Sequence, residues 1–543
     1  MGSNRPAAIV LTARKVWPGY QTGRFYRHVV IRGGQVAGLA DTPGEASEIA
    51  GGAAFRLNLG SACIGPGFID THIHALQAAA DVRLVSVRGA STLDEVLAAL
   101  RERGRRGGAG EWTVSGRNWH ESQLSEGRLP TTAELDALGV AGPVLLRRGS
   151  HLAVANSRAL AVLGLPAGRV TPIDSDAVIG RALELAGAPS PAQHAADLAA
   201  VLARFNARGI TSIREAGVDA AGLEAFAALH RGGRLTMRCD LLWRIAEGSD
   251  VAAARRQLAD MPREAPPDGA LARSDGATAP PDGALAPRLT GVKLFVDGRI
   301  ADAATGGEAP QGALRLSPED LWTIVSESLR RSPGLGCHAV GDAAVAMVLD
   351  AYERALATGL ARGPRQLVVE HALDCAPPTI ERLAASGVSV SAHPGIVYEF
   401  AADVRRHWGE ARAARAAPVR DMLAAGVAVA AGSDGDVPPF DPLRGVWFMV
   451  TRMGRSGGPV GAGQAVTRDV ALDLYTRRGA ALLGAAGQRG ELRPGQAADL
   501  VAFSGDPLTC PVEELPGTGV RLTLVGGKPV YDPSGLMEGL RDG

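Results

Sequence analysis

The sequence predicts an α/β protein. It is read as a (β/α)8 barrel of the TIM type, with a small β-sandwich domain formed from both termini and an insert after the first barrel strand. Three observations carry this reading. Eight short apolar runs alternate with amphipathic stretches through the middle of the 543-residue chain, the pattern of parallel strands joined by helices. Runs with two-residue alternation occupy both ends of the chain. One gap between apolar runs is far longer than a single helix needs.

The eight runs are IGPGFIDTHIH near 64–74, GITSIREAG at 209–217, RLTMRCDLLWR at 234–244 and LTGVKLFVDG at 289–298. They continue with GLGCHAV at 334–340, QLVVEHA at 366–372, GVSVSAHP at 387–394 and GVAVAAGSD at 426–434. Eight parallel strands favour closure into a barrel, although a doubly wound open sheet would use the same pattern. At the N-terminus AAIVLTARKVW, YRHVVIRGGQVAGLA and FRLNLGSACIGPG alternate like half-buried strands. DLVAFSGDP and VRLTLVGGKPVYD do so at the C-terminus. Residues 1–62 and 485–543 are therefore assigned to a composite sandwich, and 63–484 to the barrel. The long gap, about 85–205, contains TLDEVLAALRERG and is expected to form an insert or lid over the barrel mouth. Segment 262–288 carries PPDGALA twice and is read as a flexible surface loop, because Pro, Gly and Ala in that proportion cannot bury a core.

Composition narrows the partners. Lys plus Arg and Asp plus Glu are 57 each, so bulk charge gives no reason to expect nucleic acid or an anionic membrane. The cysteines, Cys63, Cys239, Cys337, Cys375 and Cys510, are odd in number and form no CxxC, which signals neither a disulfide framework nor a Cys-type zinc site. The chain starts without the apolar stretch of a secretory signal and has no run of about 18 apolar residues. A cytoplasmic protein is the expectation, with a small-molecule partner and a homodimer as one outcome for assembly. No GxxxxGK[ST] precedes a helix, so a phosphate-binding loop is not indicated.

The residues that carry chemistry fall at strand ends. His72 and His74 lie two apart after GPGFID, and residues two apart in a strand face the same side, so both imidazoles can meet one metal ion. His338, His371 and Asp434 each lie where an apolar run gives way to a polar or Gly-rich loop, the catalytic face of a barrel. Any one of these histidines could instead cap its strand by hydrogen bonding; four such groups at four strand ends, in a chain with 11 histidines, count against that jointly. Lys293 sits inside GVKLFVDG, where a charged ammonium facing inward is disfavoured. A snorkelling or salt-bridged lysine would resolve this. So would a neutral amine that captures carbon dioxide, the resulting carbamate being an oxygen ligand able to bridge two metal ions. Asp297 competes for any ligand role from that strand.

In these motifs the sequence resembles the amidohydrolase superfamily, and within it the YtcJ-like branch (amidohydrolase family 3) that includes N-substituted formamide deformylases. GPGFIDTHIH, GVKLFVDG, CHAVGD, VVEHA and GSDGDVP resemble its metal motifs at strands one, four, five, six and eight. GRNWHESQLSEGRLPTTAELD, Asn156-Ser157 and LYTRRGAALLG…GELRPGQAADLVAF resemble it elsewhere, so the likeness covers nearly the whole chain. The resemblance implies His72, His74, Lys293, His338, His371 and Asp434 as ligands of one or two divalent ions, zinc suiting the imidazoles. It implies metal-activated hydroxide attacking an amide or similar carbonyl, with Asp434 as general base and then acid. His151 is the candidate for orienting the carbonyl or stabilising the oxyanion, and Asn118, Trp119, His393 and Asp297 are candidates for touching substrate. Two departures bear on substrate. Gly149-Ser150 precedes His151 where the family has Asp-Gly, and His393-Pro394 stands where it has Gln-Pro. His120 and His407 are read as surface or loop histidines. A deaminase on the same barrel is the nearest rival, but the Glu such enzymes carry shortly after the fifth-strand histidine is replaced here by Ala339-Val340-Gly341-Asp342. A catalytically silent scaffold is the other, and such proteins commonly lose ligands that this chain retains.

Overall fold

The computed structural model describes residues 8–117, 119–149, 152–166, 172–263, 272–273, 285–306, 312–435, 440–455 and 457–538. Asn118, His151 and most of segment 262–288 lie outside the described residues. The chain divides into two compact units, one of them spanning 75–201 and the other holding the remaining sheets.

Eight parallel strands form the barrel: Phe68–Ile73, Ile210–Val218, Arg238–Arg244, Arg288–Phe295, Leu335–Ala339, Leu367–His371, Ser389–Ala392 and Ala428–Ala431. Each of the eight apolar runs supplies one of them, in order. Nearly every residue of these strands is buried, which is why they are apolar runs rather than alternating ones. Closure comes after the eighth strand, where the Asp434 amide donates to His72 O at 2.8 Å and the His74 amide to Gly435 O at 2.8 Å. An open doubly wound sheet is therefore excluded. Closure also needs a glycine, since a Cβ on Gly432 would lie 2.7 Å from His72 N and 2.9 Å from His72 Cβ.

The terminal strands join one mixed sheet, in the order Lys528–Tyr531, Val520–Val525, Leu500–Phe503, Cys63–Pro66, Ala8–Val16, Tyr26–Arg32 and Gln35–Ala40, with Ala54–Asn58 also paired to Ala8–Val16. Its core draws on both chain ends, including Leu11, Val29 and Ile64 against Leu500, Leu522 and Leu524. Cys63–Pro66 runs through Gly67 straight into the first barrel strand, and a Cβ on Gly67 would strike Thr211 Cγ2 at 2.3 Å.

The unit spanning 75–201 has its own three-stranded sheet, Thr113–Val114, Val144–Arg148 and Leu152–Ala155, with helices that include Leu93–Gly104 and Asp176–Leu185. Trp119, 1% exposed, packs into this unit's core beside Leu93, Val96 and Leu100, and its indole N–H donates to Arg147 O. Asp81 is gripped by Arg117 and Arg147 at 3.1 Å each.

At the opposite end of the barrel from the strand-end histidines, buried ion pairs fasten the terminal sheet. Arg238 Nε donates to Asp499 Oδ2 at 2.7 Å, and Asp499 Oδ1 accepts the Gly526 amide at 2.8 Å. Asp240 accepts from Arg288 Nε at 2.8 Å and from Arg489 Nη2 at 2.9 Å. Removing one partner of such a pair leaves an uncompensated buried charge. Asp499→Ala is expected to destabilise the fold by about 3–5 kcal/mol, read from denaturant unfolding, while leaving the activity per folded molecule unchanged.

Candidate active site

Chemistry-bearing side chains gather where the barrel strands end. His72 and His74 come from the end of the first strand, His338 from the fifth, and His371 from the last position of the sixth. His393 follows the seventh, and Asp434 follows the eighth. Asp434 Oδ1 lies 3.2 Å from His72 Nε2 and 3.1 Å from His74 Nε2. One ligand atom from each of these three residues falls within 4.8 Å of the others. The His371 ring centroid is 4.3 Å from that of His338, 4.3 Å from His393 and 5.2 Å from His72.

The donor set fits a divalent cation. His72 Nε2, His74 Nδ1 and Lys293 Nζ are buried and have no hydrogen-bond partner among the described residues, an expensive state for polar atoms unless something else satisfies them. Burial lowers the pKa of His74 and His371, and burial with the nearby Lys293 brings His338 to about 3. Neutral imidazoles are the form a metal binds. Burial likewise pushes the Lys293 amine below its ordinary value, against the attraction of Glu370 and Asp434.

Several residues hold this arrangement, and sequence reasoning did not single them out. Glu370 Oε2 lies 2.7 Å from His72 Nδ1, and Glu370 Oε1 accepts from Arg214 Nη2 at 2.5 Å. Burial opposes its ionisation, but Arg214, His72 and Lys293 together hold the Glu370 carboxyl well below the usual range. An acceptor on Nδ1 of His72 leaves Nε2 with the free lone pair. Gly336 makes room, since a Cβ there would lie 2.4 Å from Glu370 Oε1. Asp70 Oδ1 accepts the His72 amide at 3.1 Å and the Ser433 amide at 2.9 Å, tying the first strand to the end of the eighth. The available clue was charge inside apolar strands, in GITSIREAG, QLVVEHA and GFID, the same clue that marked Lys293.

The three described candidates for touching substrate, Asp297, His393 and Trp119, are all buried. Asp297, 0% exposed, accepts backbone amides from Val340 at 2.9 Å, Gly341 at 2.9 Å and Ala304 at 3.0 Å, which fastens the loop after the fifth strand. His393 is also 0% exposed and lies against His371. Trp119 is committed to the core of its own unit. Among the described residues, His371, Ala372 and Asp434 have φ of 79°, 47° and 53°, left-handed values that cost of order 1–3 kcal/mol each in a non-glycine residue. Hydrogen bonds hold them, the Ala372 amide donating to Ala339 O at 3.0 Å.

The sequence pattern of the amidohydrolase family matches residues 58–531. The chain belongs to that family. Membership makes it a hydrolase and implies a divalent metal. This amidohydrolase is 29% identical to an N-substituted formamide deformylase of Arthrobacter pascens, over 93% of the chain and 95% of the relative. It is 25% identical to the putative amidohydrolase YtcJ of Bacillus subtilis, over 88% and 91%. Its fold is shared with an uncharacterised metal-dependent hydrolase of Pyrococcus horikoshii at a TM-score of 0.71, with 22% identity over 94% of this chain and 99% of that one. Among the described residues no helix is long and apolar enough to cross a membrane.

The neutral histidines make stability depend on pH. His338 has its folded-state value near 3 against an ordinary 6.5, so between those values the unfolded chain binds a proton that the folded chain refuses. Its contribution is complete above 6.5 and is lost as pH falls. For the metal-free amidohydrolase this one ring costs about 2 kcal/mol between pH 6.5 and pH 5, to be measured as the fall in unfolding free energy over that range.

Proposed function

We propose that this amidohydrolase hydrolyses a carbon–nitrogen bond of a small molecule, an amide of the N-formyl or N-acyl kind. The observation that carries the reading is the gathering, at the strand ends, of imidazoles and one carboxylate with a buried lysine that has no hydrogen-bond partner among the described residues. The name of the Arthrobacter relative, a formamide deformylase, supports the N-formyl class.

His72, His74, Lys293, His338, His371 and Asp434 would hold one or two divalent ions, zinc being suited to this nitrogen-rich set. Such a cation supplies Lewis acidity, which polarises a carbonyl and acidifies water. Lys293 enters as a carbamate. Its uncharged amine nitrogen bonds to the carbon of carbon dioxide, a nitrogen-bound proton leaves to solvent, and an anionic pair of oxygens results. Asp434 takes the proton of the attacking water and returns it to the leaving nitrogen, acting as base and then acid.

Metal analysis of the wild type beside Lys293→Ala, with assays on N-formyl and N-acetyl amines, tests the reading. The wild type is expected to carry stoichiometric metal and to release free amine, and Lys293→Ala to lose a metal equivalent. Unchanged metal content in Lys293→Ala would remove the carbamate, ammonia released from a ring substrate would indicate a deaminase, and a folded wild type that binds no metal would leave a silent scaffold. Asp434→Asn is expected to lower kcat by about 10²–10⁴-fold, measured on whichever amine substrate the wild type turns over.

A further inference from the structure

We infer that His393 is a positioning residue that dictates which nitrogen of His371 carries the proton, and so which one is presented to the cation. This rests on the reading of His371 as a ligand. His393 is 0% exposed, so it acts through what it touches. Its Nδ1 lies 2.6 Å from His371 Nδ1, and its Nε2 lies 3.1 Å from Ser391 Oγ. Ser391 Oγ in turn lies 2.7 Å from Thr71 Oγ1. The result is a file of four side chains from the first, sixth and seventh barrel strands and their ends.

A neutral imidazole carries one N–H and one lone pair, and two nitrogens in contact can share only one proton. The file therefore has two directions. In the first, His371 Nδ1–H donates to His393 Nδ1, His393 Nε2–H donates to Ser391 Oγ, and the Ser391 hydroxyl donates to Thr71 Oγ1. His371 Nε2 is then a bare lone pair. In the second every donor reverses, the Thr71 hydroxyl donates to Ser391, and the proton that results on His371 Nε2 blocks ligation. A cation at His371 Nε2 selects the first direction, and His393 is the acceptor that stabilises it. Glu370 does the equivalent for His72, at 2.7 Å from Nδ1. Glu370 cannot serve His393 as well, because its Oε2 is 4.0 Å from His393 Nε2.

The same residues do not make a second cation site. Ligand atoms of His72, Glu370 and His393 fall within 4.8 Å of one another, but Glu370 already accepts from Arg214 at 2.5 Å. That guanidinium would repel a cation, and His72 Nδ1 is already engaged with the same carboxylate.

The test compares zinc affinity, by chelator competition, in the wild type, His393→Leu, His393→Gln, Ser391→Ala and His371→Ala. It adds the ¹⁵N shifts of labelled histidines in the metal-free protein. His393→Leu removes the acceptor and is expected to weaken zinc binding by about 10–100-fold, with the His371 proton moving from Nδ1 towards Nε2. His393→Gln is expected to restore most of the affinity, because its amide oxygen accepts from Nδ1–H. Wild-type affinity and an unmoved His371 proton in His393→Leu, beside loss of zinc in His371→Ala, would overturn the relay while sparing the ligand. Wild-type affinity in His371→Ala would overturn the ligand reading and the relay with it. Should His393→Leu fail to fold, Ser391→Ala decides. A several-fold loss supports the relay, and unchanged affinity ends it.

Discussion

The contact between the end of the eighth barrel strand and His72 governs everything built at the strand ends. Gly432 lets the two backbones approach, Asp70 ties the His72 and Ser433 amides to one carboxylate, and the Asp434 amide donates to His72 O. The seam that closes the sheet is thus also the place where Asp434 meets His72 and His74. Any displacement that opened the barrel there would separate those side chains, so closure and site geometry are the same constraint.

Within that seam the energetics turn on burying charge economically. Glu370 is ionised in the interior only because Arg214 and His72 sit on its two oxygens. Lys293 has no such partner at hydrogen-bond distance among the described residues, and its ammonium is disfavoured. His74, His338 and His371 avoid the same problem by staying neutral. A site assembled this way is costly when empty and well matched to a cation, which supplies the positive charge that the protein withholds.

Much of this was legible in the sequence. The eight apolar runs correspond one to one with the barrel strands, because a parallel strand buried on both faces has no choice but to be apolar. His72, His74, His338, His371 and Asp434 stand out because packing alone seldom places an imidazole or a carboxylate at the end of such a run. Glu370, Arg214 and Asp70 are less visible, because their partners come from other strands, and only the closed sheet brings residue 370 beside residues 72 and 214. The contacts of Asp297 are hidden for a related reason. A carboxylate near a strand end suggests substrate, and nothing local reveals that three loop amides already occupy it. His393 is conspicuous in the sequence as a departure from the family, but its contact with His371 requires the register of the sixth and seventh strands.

The terminal sheet has a bearing on how the chain comes into being. Cys63–Pro66 pairs with Leu500–Phe503, and the core around Leu11 is completed by Leu522 and Leu524. The strands around residues 8–66 therefore wait for those around residues 500–525 to be translated, and the first barrel strand waits for the eighth. Pairings so distant along the chain are slow to form and leave strand edges open in the meantime. Until the later strands are made the sheet stays unfinished, with edges that a chaperone could cover.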